Sequence, residues 1–324
     1  MELRKDPITR SWVVIGHVGH KEVPRDPCPL CPGNENGTPT ILQLPADGPW
    51  RVRVMPHFRP LYRIEGEPGR SADGIYDRMS GVGAHEIIVD TPNHTSGLAD
   101  EPDEQVALLL EAYARRIADL KRDPRFKYVT VFKDRGANSG EEWPHSHSQV
   151  TATTFVPRRV LYELRAARDW FRERDRCVFC DILRQEEKQG KRVVDSQGGY
   201  IAFCPYASRV PFETWIFPRR HSHEFERPGE DFKALGMLFR RIVRRLRTLS
   251  HGYHLVVHTA PNSLQTKGEL SEYWKSLPGD YHWHIEIMPV VPTSEKSYIL
   301  KEVYFNSLLP EQAAELLRQV DLDR

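Results

Sequence analysis

One ordered set of residues occurs twice in this chain, and it limits the possible folds more than any other feature. Each half runs through a C-x-x-C pair, a strand-like segment carrying a glutamate, a histidine, an amphipathic helix, a β-rich run and an H-x-H. In the first half these are Cys28 and Cys31, HEIIVD with Glu86 eight residues before His94, the run KYVTVF, and His145 with His147. In the second they are Cys177 and Cys180, ETWIFP with Glu213 eight residues before His221, the run YHLVVH, and His282 with His284. Val106, Leu109, Leu110, Tyr113, Ile117 and Leu120 keep helical spacing, as do Phe232, Leu235, Leu238, Phe239, Ile242, Leu246 and Leu249. The repeat predicts an α+β chain of two homologous lobes. Each should be an antiparallel sheet of about five strands with its long helix packed on one face. The expected division is 1–165 and 166–324, within a charged helix from Val160 to Arg174. Tyr62–Gly83 and QEEKQGKR around residue 188 read as loops, and Pro261–Gly279 as a mobile segment.

A chain of 324 residues has room for two ordinary domains. The net charge of +1 creates no global field that would favour nucleic acid or membranes. The arginine run RRIVRRLR, Arg240–Arg247, carries Ile242, Val243 and Leu246 at core spacing and reads as a solvated helix face. MELRKDPITR lacks the apolar core of a signal peptide, and no apolar run reaches spanning length, so a cytoplasmic location is expected.

In a reducing compartment, paired cysteines suggest metal or redox chemistry rather than disulfides. CPLCPGNENG is a Pro/Gly-rich loop, which suits a zinc knuckle better than a thioredoxin motif. The repeat supplies two Cys2His2 sets, Cys28, Cys31, His94, His145 and Cys177, Cys180, His221, His282, with His223 and His258 as competing ligands in the second. Four protein ligands leave no open position, so one or two zinc ions would be structural.

The chemistry then falls to the residues beside the first set. On a strand, the two imidazoles of an H-x-H share a face, so His145 can be tied to a metal while His147 reaches a substrate. A neutral histidine held in one tautomer can attack phosphorus. Gln149 can hydrogen-bond a phosphoryl oxygen without protonating a leaving group. The loop FKDRGANSGEEW, with Gly136 and Gly140, could present backbone N–H groups to a phosphate. Trp143 could stack on a base or simply pack. His284, in HWHIE, reads as a buried polar residue.

HSHSQ, CVFCDIL and HWHIEIMP resemble the histidine-triad superfamily, specifically its galactose-1-phosphate uridylyltransferase branch. RKDPITRSWVVI, PEQAAELLR and the duplicated, histidine-triad-like lobes extend that resemblance along nearly the whole chain. It implies ping-pong transfer between a nucleoside-diphosphate sugar and a sugar phosphate or phosphate. His147 would take the nucleotidyl group, and Gln149 would contact its phosphate. It also implies a place in galactose metabolism and a homodimer whose C-terminal loop reaches the neighbouring site. The second cysteine-bearing set resembles members that include plant nucleotide-sugar phosphorylases.

The sequence departs from the branch at its substrate-binding positions. Asp134 stands where Asn is usual, Glu142 lies near a usual Ser, and Pro56-His57 replaces a P-N motif. The arginines expected soon after Trp12 are missing, and KSYILKEVYFNS replaces a glycine-containing sugar-phosphate loop. His57, Asp134, Gly136, Gly140 and Ser148 are the expected substrate contacts, and Glu141 and Glu142 would repel a phosphate unless paired. Three readings compete: a nucleotidyl transferase, a phosphorylase or hydrolase of ADP-sugars or dinucleoside polyphosphates, and a zinc-stabilised nucleotide-binding protein without turnover. Gln149 argues against hydrolysis, since it is no general acid.

Overall fold

A computed structural model describes residues 1–16, 26–35, 37–136, 138–227, 229–250, 252–264, 275–290 and 303–322. Three segments singled out above lie partly outside these residues: 17–25 after Trp12, 265–274 of the segment expected to be mobile, and 296–302 of the run replacing the sugar-phosphate loop.

The first half builds five strands, β3 (Leu42–Leu44), β4 (Val52–Pro56), β7 (Gly83–Val89), β8 (Tyr128–Arg135) and β9 (His147–Thr153), with α1 (Asp103–Leu120) between β7 and β8. The second half repeats the plan with β10 (Val193–Gln197), β11 (Tyr200–Phe203), β12 (Thr214–Pro218), β13 (Tyr253–His258) and β14 (His284–Pro289), and with α4 (Phe232–Leu249) between β12 and β13. Each set is antiparallel, as the repeat predicts. The two sets do not stay separate. β8 pairs antiparallel with β13, from Tyr253 opposite Arg135 to Val257 opposite Val131, and fuses them into one ten-stranded sheet. The equivalent strand of each half thus meets its counterpart, which hides two sheet edges that would otherwise be open for pairing.

Both long helices pack on one face of this sheet, and their apolar stripes merge into one core with Ile88, Val131, Val150, Leu255 and Ile285. α1 and α4 also pack against each other. They approach closely at Gly236, where a Cβ would lie 2.8 Å from the Ala107 nitrogen. The arginines of α4 are not a bare solvated face. Arg241 and Arg245 pair with Asp195, Arg240 with Asp103, and Arg247 with Asp100.

Two segments read as loops are ordered elements. Between Tyr62 and Gly83, β5 (Ser71–Asp73) and β6 (Tyr76–Ser80) form a hairpin. It joins β1 (Glu2–Lys5) and β2 (Trp12–Ile15) in a four-stranded sheet ordered β2-β1-β6-β5. Its strands are too short and polar to give a period-2 signal, and their pairing partner lies far away at the N-terminus. QEEKQGKR supplies the last turn of α3 (Val178–Gln189), which ends at the left-handed Gly190. α2 (Arg158–Arg174) links the halves, and α5 (Leu277–Asp280) and α6 (Pro310–Gln319) complete the described helices. No helix among the described residues is long and apolar enough to cross a membrane.

Gly236→Leu should force α1 and α4 apart, because the nearest obstruction is backbone. A loss of about 1–3 kcal/mol is expected from such overpacking, read as a lower denaturant midpoint. An unchanged midpoint would mean that the two halves do not depend on this contact.

Candidate active site and metal centres

β9 sits between β7 and β8, with Val89 opposite His147 and Ile87 opposite Gln149. Its alternation turns His147 and Gln149 to one face and Ser148 to the helix face. His145 and His147 are held by opposite nitrogens. A carbonyl oxygen only accepts, so His145 must donate through Nε2 to the Thr91 carbonyl (2.8 Å), which leaves Nδ1 unprotonated. His147 donates through Nδ1 to the His145 carbonyl (2.8 Å), which leaves Nε2 with its lone pair. Burial, reinforced by Lys133, holds His147 below the ordinary imidazole value, so the ring is neutral near pH 7. His147 is only 2% exposed, covered in part by Trp143.

The freed Nδ1 of His145 faces sulfur. It lies 3.8 Å from Cys28 Sγ and 3.5 Å from Cys31 Sγ, and His94 Nδ1 lies 3.3 Å from Cys31 Sγ. The four ligand atoms fall within 4.8 Å of one another and could hold a metal ion. Cys177, Cys180, His221 and His282 converge in the same way, with Cys180 Sγ 3.3 Å and 3.6 Å from the two Nδ1 atoms. Here too each Nε2–H is bound by a carbonyl, from Pro278 for His221 and from Pro218 for His282. Cys177 ends the link to α3 and Cys180 lies in its first turn, so the second pair is fixed by a helix start. Neither His223 nor His258 joins that set.

Beneath β9 lies a polar cluster that sequence patterning did not reveal. Lys133 and Asp90, both fully buried, pair at 2.7 Å. Lys133 also donates to the His147 carbonyl (2.7 Å), and Asp90 accepts from Ser146 (2.9 Å) and Ser148 (2.8 Å). Tyr113 of α1 bonds the same Ser148 hydroxyl. Ser148, expected at a substrate, is therefore turned to the underside with its hydroxyl engaged. A lysine inside the strand KYVTVFKDR was the available signal, since an unpaired buried ammonium is rarely tolerated.

The other expected contacts are also partnered. Asp134 bonds His254 Nδ1 at 2.6 Å across the β8–β13 seam. Gly136 turns at φ +100° and Gly140 at +85°, but the Gly136 N–H is taken by Glu141 (3.0 Å), which also pairs with Arg135. Glu142 is gripped by His57 (3.1 Å) and Arg59. Both carboxylates feared as repulsive are thus paired, and the departures at 57 and 142 are one interaction. His57 stacks on His85, with centroids 4.0 Å apart and planes 7° apart, and His85 Nε2 reaches Gln149 Oε1 at 2.8 Å. Trp143 sets its edge against His147.

In the second half, His284 and Glu286 occupy the places of His147 and Gln149. A third group, Glu163, His258, His284 and Glu286, converges there on the same face of the sheet. His258 lies 3.0 Å from Glu163 and 3.5 Å from Glu286, whose charges raise it to about 10 against the cost of burial. Arg159 and Arg209 also pair with Glu286. His284 is buried among these groups and the ring of Phe217.

Residues 10–157 match the family described as galactose-1-phosphate uridyl transferase, N-terminal domain. An ADP-glucose phosphorylase of Arabidopsis thaliana is 29% identical, the match covering 99% of this chain and 93% of that protein. A galactose-1-phosphate uridylyltransferase of Thermotoga maritima is 26% identical, over 100% of this chain and 99% of the other. Among solved structures, the Arabidopsis thaliana ADP-glucose phosphorylase with bound ADP-glucose superposes with TM-score 0.78 at 28% identity, over 99% of this chain and 100% of that one. A uridylyltransferase superposes with TM-score 0.81 at 25% identity, over 98% and 97%. Along its whole length the chain is thus similar both to a galactose-1-phosphate uridylyltransferase and to an ADP-glucose phosphorylase.

Lys133→Met should leave Asp90 buried without its counter-charge and destabilise the chain by about 3–5 kcal/mol, read from denaturant unfolding. His85 gives a pH signature. Burial lowers it from 6.5 to about 4, so above pH 6.5 it costs nothing. As pH falls from 6.5 towards 4 the unfolded chain takes up the proton first, and stability should decline. His85→Phe should reduce that slope by up to one proton, and an unchanged slope would contradict the assigned neutral state.

Proposed function

We propose that this protein is a nucleotidyl transferase that moves a nucleoside monophosphate from a nucleoside-diphosphate sugar, through His147, to a phosphate-bearing acceptor. The observation that carries this is the opposite anchoring of His145 and His147, which directs one imidazole to a metal and leaves the other with a free Nε2 lone pair. In the first step, Nε2 of His147 attacks the α-phosphorus. A phosphorus–nitrogen bond forms as the bond to the sugar phosphate breaks. The leaving group is a phosphate and needs no proton, so an amide at position 149 suffices where an acid would be needed to expel an alkoxide. The proton stays on Nδ1, hydrogen-bonded to the His145 carbonyl, which helps to stabilise the imidazolium of the adduct. An acceptor phosphate oxygen then attacks the same phosphorus and releases His147. The half before about residue 165 carries this chemistry.

Zinc is the metal that both Cys2His2 sets fit. The sulfur–nitrogen separations of 3.3–3.8 Å suit the edges of a tetrahedron around one ion. The carbonyls behind His145, His221 and His282 fix the ligating tautomer. Four protein ligands make each ion structural, and the first would hold the backbone that positions His147. The second half has a carboxylate, Glu286, where the first has Gln149, and because an ionised carboxylate has no N–H to donate to a phosphoryl oxygen we assign transfer to the first half alone.

A second reading is an ADP-sugar phosphorylase, with inorganic phosphate as the acceptor. It is favoured by the 29% identity to the ADP-glucose phosphorylase along nearly the whole chain. Galactose-1-phosphate as acceptor is favoured by the uridylyltransferase relatives.

Mixing the protein with ADP-glucose or UDP-glucose should give an acid-labile adduct on His147, whose mass names the base. A comparison of inorganic phosphate with galactose-1-phosphate as second substrate then separates the two readings. His147→Asn should abolish the adduct and retain two zinc ions per chain, whereas His145→Ala should lose one. Zinc loss in His147→Asn would mean that the roles of the two histidines are reversed.

A further inference from the structure

Gln149 has a donor end and an acceptor end, and a phosphate oxygen can use only the donor end. Rotating the amide by half a turn would set oxygen lone pairs against the phosphate. Something must therefore choose the orientation. The surrounding contacts leave one choice. The Leu61 N–H donates to His85 Nδ1 at 3.1 Å, so that nitrogen carries no proton and the neutral ring carries it on Nε2. Nε2–H then has Gln149 Oε1 at 2.8 Å as its acceptor, and the amide NH2 is left for another partner.

The ring that does this is itself clamped. His57 stacks on it face to face and has the same tautomer for the same reason. The Arg59 N–H donates to His57 Nδ1 at 3.0 Å, and His57 Nε2 donates to Glu142 at 3.1 Å. The His57 N–H donates to the His85 carbonyl at 2.9 Å. Three alternate N–H groups of one short segment, at 57, 59 and 61, thus grip His85 and its stacking partner. A protonated His85 would point an N–H at the Leu61 N–H, so the clamp also excludes the cationic ring.

We propose that His85 is a positioning residue that holds the Gln149 amide with its NH2 towards the transferred phosphate, and that the His57–Glu142 pair holds His85 in register. This deepens the transferase reading and rests on it. The residues at 57 and 142 then serve the orientation of Gln149, and the loss of a substrate contact at those positions is offset by a fixed amide.

The test measures single-turnover adduct formation on His147 from ADP-glucose and from UDP-glucose, with zinc content as a check on folding. His85→Phe keeps the stacked ring and removes the donor. It should slow adduct formation by about 10- to 100-fold, the scale of a misaligned catalytic contact, with little change in the concentration dependence. Gln149→Leu should be at least as slow, and the double variant should be no slower than Gln149→Leu alone, because one residue acts through the other. His85→Gln, which retains a donor, should recover part of the rate. Multiplying effects, or a wild-type rate in His85→Phe, would overturn the proposal while leaving the transferase reading intact. The absence of any adduct in the wild type would instead count against that reading. A separate measurement decides the proposal even then: histidine 15N spectra should show His85 as the neutral Nε2–H tautomer, and an Nδ1–H or cationic ring would refute it.

Discussion

Two backbone carbonyls, from Thr91 and from His145, decide what the two histidines at the start of β9, His145 just before it and His147 within it, can do. Each accepts from a different ring nitrogen, one from Nε2 and the other from Nδ1. The first choice aims His145 at two cysteine sulfurs, and the second leaves His147 with a basic nitrogen directed elsewhere. Identical side chains two residues apart thus acquire different chemistry from hydrogen bonds that cost the fold little. His284 in the second half has the His147 arrangement, donating from Nδ1 to the His282 carbonyl at 3.2 Å. It stacks on His258 and lies beside Glu286, a carboxylate with no N–H to donate where the first half has the Gln149 amide.

These carbonyls are in place because β9 is held from both faces. Above it, the loop carrying Cys28 and Leu30 and the ring of Trp143 pack on Ile87, Val89 and Met55. Below it, Lys133 ties the His147 carbonyl to Asp90, which in turn collects the hydroxyls of Ser146 and Ser148. A buried charge pair of this kind is weak evidence of net stability. Its effect here is register. A one-residue slip of β9 would exchange the histidine and serine faces and leave Lys133 and Asp90 without their partners.

The fusion of the two halves follows the same economy. Each half has a long helix and a strand pair that would expose an edge if it stood alone. Pairing β8 with β13 covers both edges, and the packing of α1 against α4 closes the core behind them. Asp134 and His254 meet across that seam, so a position expected at a substrate joins the halves.

The sequence by itself determined the repeat, the strand and helix types of each half, and the membership of both Cys2His2 sets, because these rest on residue identity and on short periodicities. It also singled out His147 and Gln149, since an H-x-H-x-Q places all three side chains on one face. It misread the hairpin at 71–80, the end of α3 and the side of Ser148, where short polar elements take their structure from distant partners. Only the tertiary structure decided that His57 and Glu142 form one pair, that His85 faces Gln149, and that Lys133 pairs with Asp90 beneath β9. Those contacts join residues 43 to 85 positions apart, and a linear pattern carries no record of which buried donor will find which acceptor.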